Sequence, residues 1–286
     1  MYIWICDIFF INIIFYITNF IIFIKKITVK FSITLQAIEG KMLPINYQYP
    51  LSSAIYRIIA KGDQEYAAFL HESGYGKGFK FFTFSQLNVP FKIAGDRLQL
   101  LKNEVIFQIA FHLPQTMESF VKGLFQSEKI DIADRKSKVS FVVKSVESLP
   151  NLLQTYKENE IINIHVKPIS AMVVGLQNEN ANYDFLSPDD ARFTESLIYN
   201  WRSKIETCYD AATASGALLM LEVIPMKQPF KSRLMTIKAD TPQETKIRGW
   251  LNFELKITGE KRFVEILMNS GCGVYNAMGC GCVEIA

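Results

Sequence analysis

From residue 30 onward the chain runs twice through the same order of patterns, and that repetition restricts the fold more than any composition figure does. Residues 30–38 alternate, with Phe31, Ile33, Leu35 and Ala37 on one side and Ser32, Thr34 and Gln36 on the other, as a half-buried strand requires. After Pro50, Leu51, Ala54, Ile55, Ile58 and Ile59 recur at helical spacing. Gly62 closes that helix, and a second is predicted over 63–71. Gly74, Gly76 and Gly78 then form a loop. Strands are predicted over 79–84, around Phe91 and over 105–113, where Val105, Phe107, Ile109, Phe111 and Leu113 share one face. A helix over 115–126 and a strand over 139–146 complete the first pass, and the polar stretch 147–160 reads as a linker. The second pass gives a strand over 161–168, a long helix over 189–214 and a buried strand over 217–224. A hairpin over 231–238 and 246–257, a helix over 260–268 and a last strand over 282–285 follow.

Strand, helices, strands, helix, strand is the split order of a ferredoxin-like unit, and RNA-recognition modules are built on the same sheet. The expected fold is therefore α+β. It comprises two tandem ferredoxin-like (RRM-like) domains, over residues 29–146 and 161–286, with a Gly-rich loop near the C-terminus. A chain of 286 residues supplies two cores of ordinary size. A formal net charge of only +3 does not by itself argue for nucleic acid, although a local basic face can still exist. The five cysteines (Cys6, Cys208, Cys272, Cys280 and Cys282) are an odd number and no disulfide framework, which points to a reducing compartment and a cytoplasmic location.

Residues 1–28 stand apart. They are almost wholly apolar up to Lys25 and Lys26, long enough to span a bilayer, yet they lack the charged start and small-residue cleavage site of a secretory signal. Asp7, Asn12 and Asn19 interrupt the run, and an acid inside a span is unfavourable. The preferred reading is a start site assigned too early, with Val29 as the first residue. The alternative is a membrane-associated protein anchored by residues 1–24.

The segment with most chemistry is Gly271-Cys-Gly273-Val-Tyr-Asn-Ala-Met-Gly279-Cys-Gly281-Cys-Val283. Glycines permit positive φ and close approach to a ligand, and clustered N–H groups make an anion-binding concavity. No Gly-Lys-Ser/Thr follows, so this is not a P-loop. A tight helix-to-strand turn is the structural alternative. Following a second ferredoxin-like unit, this Gly-x-Gly-x5-Gly-x-Gly-x-Val ending resembles that of the CRISPR-associated endoribonucleases of the sixth Cas protein family, repeat-RNA processing members of the RAMP superfamily. Leu43-Pro-Ile-Asn-Tyr-Gln-Tyr-Pro-Leu-Ser-Ser-Ala-Ile-Tyr56 is similar to the family's first-helix start. Phe69-Leu-His71-Glu and Lys80-Phe-Phe-Thr-Phe-Ser85 are similar to its catalytic segment. The resemblance runs from about residue 30 to the end.

That resemblance implies cleavage without metal or other cofactor. A ribose 2′-hydroxyl attacks the adjacent phosphorus and leaves a 2′,3′-cyclic phosphate and a 5′-hydroxyl, chemistry that needs proton transfer and a cation for the phosphoryl charge. It implies Tyr56 as general base or hydroxyl positioner, His71 as general acid and Lys80 as charge stabiliser, with Lys77 the second candidate for the lysine role. Helical spacing independently sets Tyr56 off the apolar stripe of its helix and His71 off the stripe of Tyr66, Phe69 and Leu70. The ordinary pKa of imidazole also suits acid–base work near neutrality. CRISPR repeat RNA is the implied partner. Lys227, Lys231, Arg233 and Lys238 cluster in the hairpin and suit backbone phosphates. Gly271, Gly273, Gly279 and Gly281 would offer the loop to the same RNA, and Arg248 and Trp250, read as outward-facing, would extend that surface. His112 and His165 lie on polar strand faces. Asp189 and Asp190, after Pro188, read as a helix start, and Cys272, Cys280 and Cys282 lack zinc-ligand spacing, so no metal site is expected. The rival reading is a non-catalytic RNA-binding subunit of a CRISPR effector complex. Other subunits of such a complex, or a second copy of the chain, remain open as partners.

Overall fold

The computed structural model describes residues 29–179, 183–239 and 241–286; the apolar extension over residues 1–28, with both readings of it, lies outside them. Among the described residues no helix is long and apolar enough to cross a membrane.

The alternation of residues 30–38 becomes strand β1 (Lys30–Glu39), followed by the short β2 (Met42–Pro44) and helices α1 (Gln48–Gly62) and α2 (Gln64–Glu72). Then come β3 (Phe82–Phe84), β4 (Phe91–Ala94), β5 (Arg97–Leu100), β6 (Glu104–Phe111), helix α3 (Pro114–Phe125), β7 (Ile130–Ala133) and β8 (Lys138–Ser148). The main sheet has the order β3-β6-β1-β8-β7. Its first four strands have the order of a ferredoxin-like sheet, and β7 adds an edge. Phe31, Ile33 and Leu35 on β1 and Val105, Phe107 and Ile109 on β6 face the helices and join one core with Leu51, Ile55 and Ile59 of α1 and Met117, Phe120 and Leu124 of α3. Each such side chain, taken fully from water, contributes roughly 1.5–3 kcal/mol.

The second half repeats the plan: β9 (Ile161–Pro168), a small hairpin β10 (Gly175–Gln177) and β11 (Tyr183–Phe185), then helices α4 (Phe193–Cys208) and α5 (Ala211–Gly216). β12 (Leu219–Pro225), the hairpin β13 (Lys231–Ile237) and β14 (Thr245–Leu251), β15 (Phe253–Glu260), helix α6 (Lys261–Ser270) and β16 (Val283–Ile285) follow. The sheet order β12-β15-β9-β16 is again ferredoxin-like. Ile162, Ile164 and Val166 of β9 share a core with Leu197, Trp201 and Ile205 of α4 and Phe263, Val264 and Leu267 of α6. The buried indole Nε1 of Trp201 donates to the Phe263 carbonyl at 2.8 Å, fastening α4 to α6.

Several expected elements differ. The long helix over 189–214 is two helices, because Asp210 turns extended and its side chain accepts from Thr213 N, capping α5. Asp189 and Asp190 do not start α4, which begins at Phe193; Asp190 pairs with Arg192 at 2.8 Å instead. The hairpin's second strand ends at Leu251, where Asn252 takes φ 65°, and β15 joins a different sheet. The strand expected to be buried over 217–224 is a half-exposed edge, with Met220 57% exposed. In the expected linker, Leu153 is buried in the second core.

Gly62 and Gly123 set the approach of α1 to α3. A Cβ on Gly123 would lie 1.7 Å from the Ile58 carbonyl oxygen, and one on Gly62 would lie 2.0 Å from that of Ser119. A mid-helix Gly→Ala change ordinarily stabilises by about 1 kcal/mol. Here overpacking reverses the sign: Gly123→Ala should destabilise the protein by about 1–3 kcal/mol, read as a lower denaturant midpoint. A raised midpoint would contradict this packing.

Candidate active site

Tyr56, His71 and Lys80 come from three consecutive pieces of the first half, and each is placed by a different local constraint. Tyr56 sits on the flank of α1, half-buried against the first core. Its ring meets that of His71 edge-on at 5.2 Å between centroids and that of Phe82 at 5.6 Å. Burial pushes its phenol further above its ordinary pKa, so the hydroxyl stays protonated at neutral pH. His71 is exposed in the last turn of α2, the helix whose N-terminus is capped by the Asp63 carboxylate. The buried stripe of α2 is Tyr66, Ala67 and Leu70; Phe69, read from the sequence as part of it, is 41% exposed and packs edge-on against Tyr75.

Lys80 folds over Gly74 and donates to the His71 carbonyl oxygen at 3.1 Å. Gly74 has φ +66°, and a Cβ there would meet the lysine Nζ at 2.9 Å. Partial burial lowers the Lys80 pKa. The next residue, Phe81, has φ 52°, a left-handed backbone that a bulky residue adopts only when its surroundings compel it. The reason lies in the packing. Phe81 is buried in the core of the second half and Phe82 in that of the first. The chain twists between them, and Lys80 is held at the seam. Lys77 is drawn away, donating to Tyr199 Oη and Ser203 Oγ of α4, both at 3.1 Å.

The Gly-rich loop closes the site. Its short 3-10 turn (Asn276–Met278) is gripped by the first half: Ser52 Oγ donates to the Ala277 carbonyl at 2.7 Å, and Thr83 Oγ1 to that of Cys280 at 3.0 Å. Ser52 lies one helical turn before Tyr56, on the same face. All four glycines take positive φ, and two show why. A Cβ on Gly279 would lie 2.3 Å from the Phe84 ring, and one on Gly273 would lie 2.2 Å from the Val173 carbonyl oxygen. These glycines let the loop pack against the protein itself, which is the structural alternative recognised in the sequence; Gly273 also lines the cavity beside His71.

That cavity, of about 320 Å³, is lined by Tyr56, His71, Lys77, Lys80, Lys204 and the loop residues Gly273 to Met278, with no Asp or Glu among its described lining residues. Lys204 is the residue that sequence reading overlooked. It is 1% exposed and donates to the Gly271 carbonyl at 2.6 Å and to Asn276 Oδ1 at 2.8 Å. Leu197, Trp201, Lys204, Ile205 and Cys208 fall on one helical stripe, and a lysine inside such a stripe is the signal that was available.

The remaining candidates are spread elsewhere. Lys227 is exposed before β13. Lys231 and Arg233 line an apolar groove with Leu43 and Leu98, and the Arg233 guanidinium lies 5.5 Å from the centre of the Tyr47 ring. Lys238 faces a separate cavity of about 500 Å³ with Arg57 and Arg97. None of these four reaches the cavity of His71. Arg248 is exposed, but Trp250 is not free on the surface: it packs against the second core with its Nε1 enclosed, and its backbone pairs with Met172. His112 is not on a polar face. It is largely enclosed against Phe81, and burial, with Lys204 nearby, holds its pKa down to about 4. His165 is half-exposed beside Glu254 at 3.5 Å. Cys272, Cys280 and Cys282 are buried, and burial pushes their thiols up to about 12, 12 and 11.

Two ferredoxin-like domains close a cation-lined cavity with a Gly-rich loop, on a sheet of the kind RNA-recognition modules use. The chain belongs to the CRISPR-associated Cas6 family: the family models for the N-terminal and C-terminal parts of CRISPR-associated protein Cas6 match residues 42–147 and 154–285. A relative from Methanocaldococcus jannaschii, CRISPR-associated endoribonuclease Cas6 1, is 29% identical over 262 residues, 90% of this chain and 92% of its own length. A solved structure described as CRISPR associated protein Cas6 is 26% identical, with 90% of this chain and 98% of its own covered and a TM-score of 0.65. The structure of a Cas6-related protein from Pyrococcus furiosus, 22% identical over 91% of this chain and 98% of its own, shares the fold with a TM-score of 0.71.

Buried thiols held protonated do not react. Native protein treated with a disulfide reagent at pH 8 should leave Cys272, Cys280 and Cys282 unmodified on peptide mapping, whereas unfolded protein should show all three modified. Rapid native labelling at any of them would contradict this packing.

Proposed function

We propose that the chain is an endoribonuclease that cuts CRISPR repeat transcripts into guide RNAs without a metal. The observation that carries this reading is the meeting of Tyr56, His71 and Lys80 at one basic cavity closed by the Gly-rich loop. Family membership and the named activity of the M. jannaschii relative support it. The cavity's lysines draw in a phosphate. The protonated Tyr56 hydroxyl donates to the ribose 2′-oxygen and holds it in line, and, no carboxylate lying among the described lining residues, the 2′-proton passes to solvent. As the 2′-oxygen attacks phosphorus, the bond to the 5′-oxygen breaks. His71 gives that oxygen a proton, and Lys80 offsets the charge that builds on the phosphoryl oxygens. The products are a 2′,3′-cyclic phosphate and a 5′-hydroxyl. Of the two lysines weighed for this role, Lys80 is favoured, because Lys77 is engaged with α4.

The hairpin cations fit a second part of this scheme. Lys231, Arg233 and Lys238 lie along the side of the molecule that faces Tyr47 and Arg57, suited to the RNA backbone away from the cut.

Labelled repeat RNA from the source's own array, incubated in excess EDTA, should be cut at one position, and end analysis should find the cyclic phosphate. His71→Ala should lower the single-turnover rate by about 10²–10⁴-fold, and Lys80→Ala by about 10²–10³-fold. Tyr56→Phe, which removes one positioning hydroxyl, should cost about tenfold. Tight binding without cutting would assign the chain to the non-catalytic subunits, and cutting unaffected by His71→Ala would remove His71 from the mechanism.

A further inference from the structure

Lys204 carries a buried positive charge with no acid beside it among the described residues; besides its two hydrogen bonds it meets only the face of the Phe79 ring, 5.8 Å from the ammonium. Its ammonium has no carboxylate within ion-pair distance among the described residues; both acceptors it holds, the Gly271 carbonyl and Asn276 Oδ1, are neutral. An ammonium has three donors, so one N–H remains beyond these two bonds. Burying an unpaired cation is costly, and proteins keep such a group where an anion will meet it or where it fixes a shape.

The bonds of Lys204 fix a shape, and its place in the cavity lining puts it where an anion can reach it. Lys204 fixes the limb of the Gly-rich loop at Gly271 directly and the rest through Asn276, whose amide Nδ2 donates to the Cys272 carbonyl at 3.3 Å and to the Cys280 carbonyl at 3.0 Å. One ammonium and one amide therefore brace both limbs of the loop. Lys204 also lines the cavity with Lys77, Lys80 and His71.

We propose that Lys204 is a positioning residue whose buried ammonium braces the Gly-rich loop and takes an RNA phosphate in the catalytic cavity as its missing counter-ion. This rests on the nuclease reading above and adds a residue to it. RNA binding then completes a charge pair and tightens the loop around the substrate in the same event.

The ionisation of the surrounding groups sets a pH signature. Burial lowers the Lys204 pKa to about 8, so part of the population is neutral in the free protein at physiological pH. A phosphate partner raises it, and RNA binding draws in a proton. The groups facing Lys204 from its neighbours leave the window near pH 8 largely to it. His112 is held down at about 4, and Cys208 on the same helix and Cys272 on the loop are both pushed up to about 12. Lys77 donates to Ser203 Oγ, and His71, Tyr56 and Tyr275 line the same cavity. Lys80, whose pKa is also lowered by burial, and His71, which lines the same cavity, are the competitors, and each is tested separately.

The test uses repeat RNA with a 2′-deoxyribose at the mapped cut, so that binding is read without cleavage. For the wild-type protein, calorimetry at pH 8.5 in buffers of different ionisation enthalpy should show net proton uptake, and the dissociation constant should weaken on the order of tenfold from pH 7 to pH 9. Lys204→Met should bind more weakly at pH 7 and lose most of that slope; Lys80→Met and His71→Ala should each keep it. Asn276→Asp gives the ammonium an internal carboxylate and should also flatten the slope, which keeps the proposal testable if Lys204→Met does not fold. No proton uptake, an unchanged slope in Lys204→Met, or a slope lost only in Lys80→Met would overturn the proposal while leaving the nuclease reading intact. Wild-type protein that does not bind the RNA at any pH would overturn both.

Discussion

The structure depends on one seam, where the C-terminal Gly-rich loop is held by the N-terminal half. Ser52 and Thr83 grip it by its carbonyls, Phe84 packs into the space that Gly279 leaves, and Lys204 braces it from behind. The main-chain bond from Gln86 N to the Ile169 carbonyl, at 3.1 Å, continues the contact. Each sheet has its own core, yet neither core contains the cavity. The cavity exists only where the two halves meet.

The net charge of the chain says little about this place, because the relevant charge is local. A formal +3 over 286 residues is close to balance, and many lysines are paired with acids on the surface, such as Lys167 with Glu284 and Lys256 with Glu222. The cavity departs from that average: among its described lining residues there are cations and no acids. Low-dielectric walls around uncompensated charge strengthen its pull on an anion, so a nearly neutral protein can still hold a polyanion at one point.

How much of this was legible in the sequence follows from the range of the interactions. The strands β1, β6 and β9 were legible because alternation is a local property and one face is buried. The break between α4 and α5 was missed because apolar spacing continues through it, and the capping Asp210 looks like any polar helix residue. The division of β14 from β15 at Asn252 was missed for a related reason, since the two strands are contiguous but belong to different sheets. Of the candidate site, Tyr56, His71 and Lys80 were named through a resemblance, and periodicity contributed only that the first two sit off the apolar stripes. Trp250 was misplaced because the Met172 segment and the core of its own half cover a face that alternation alone leaves polar, and His112 because the Phe81 ring, turned toward the second core, encloses it. Lys204 was overlooked because a lysine on a helix is ordinarily solvated. Its burial comes from a loop nearly seventy positions further along the chain, a relation no local window contains.

The consecutive burial of Phe81 and Phe82 in opposite cores has a consequence for how such a protein can change over time. A gene segment encoding the first half alone would carry a complete sheet and its helices but would leave the Phe81 ring without its pocket and Lys80 without a fixed position, and one encoding the second half alone would leave that pocket unfilled. Exchange of whole halves between relatives is therefore selected on the fit of two adjacent side chains. The architecture can be duplicated as a unit; the geometry of the cavity has to be inherited as a matched pair.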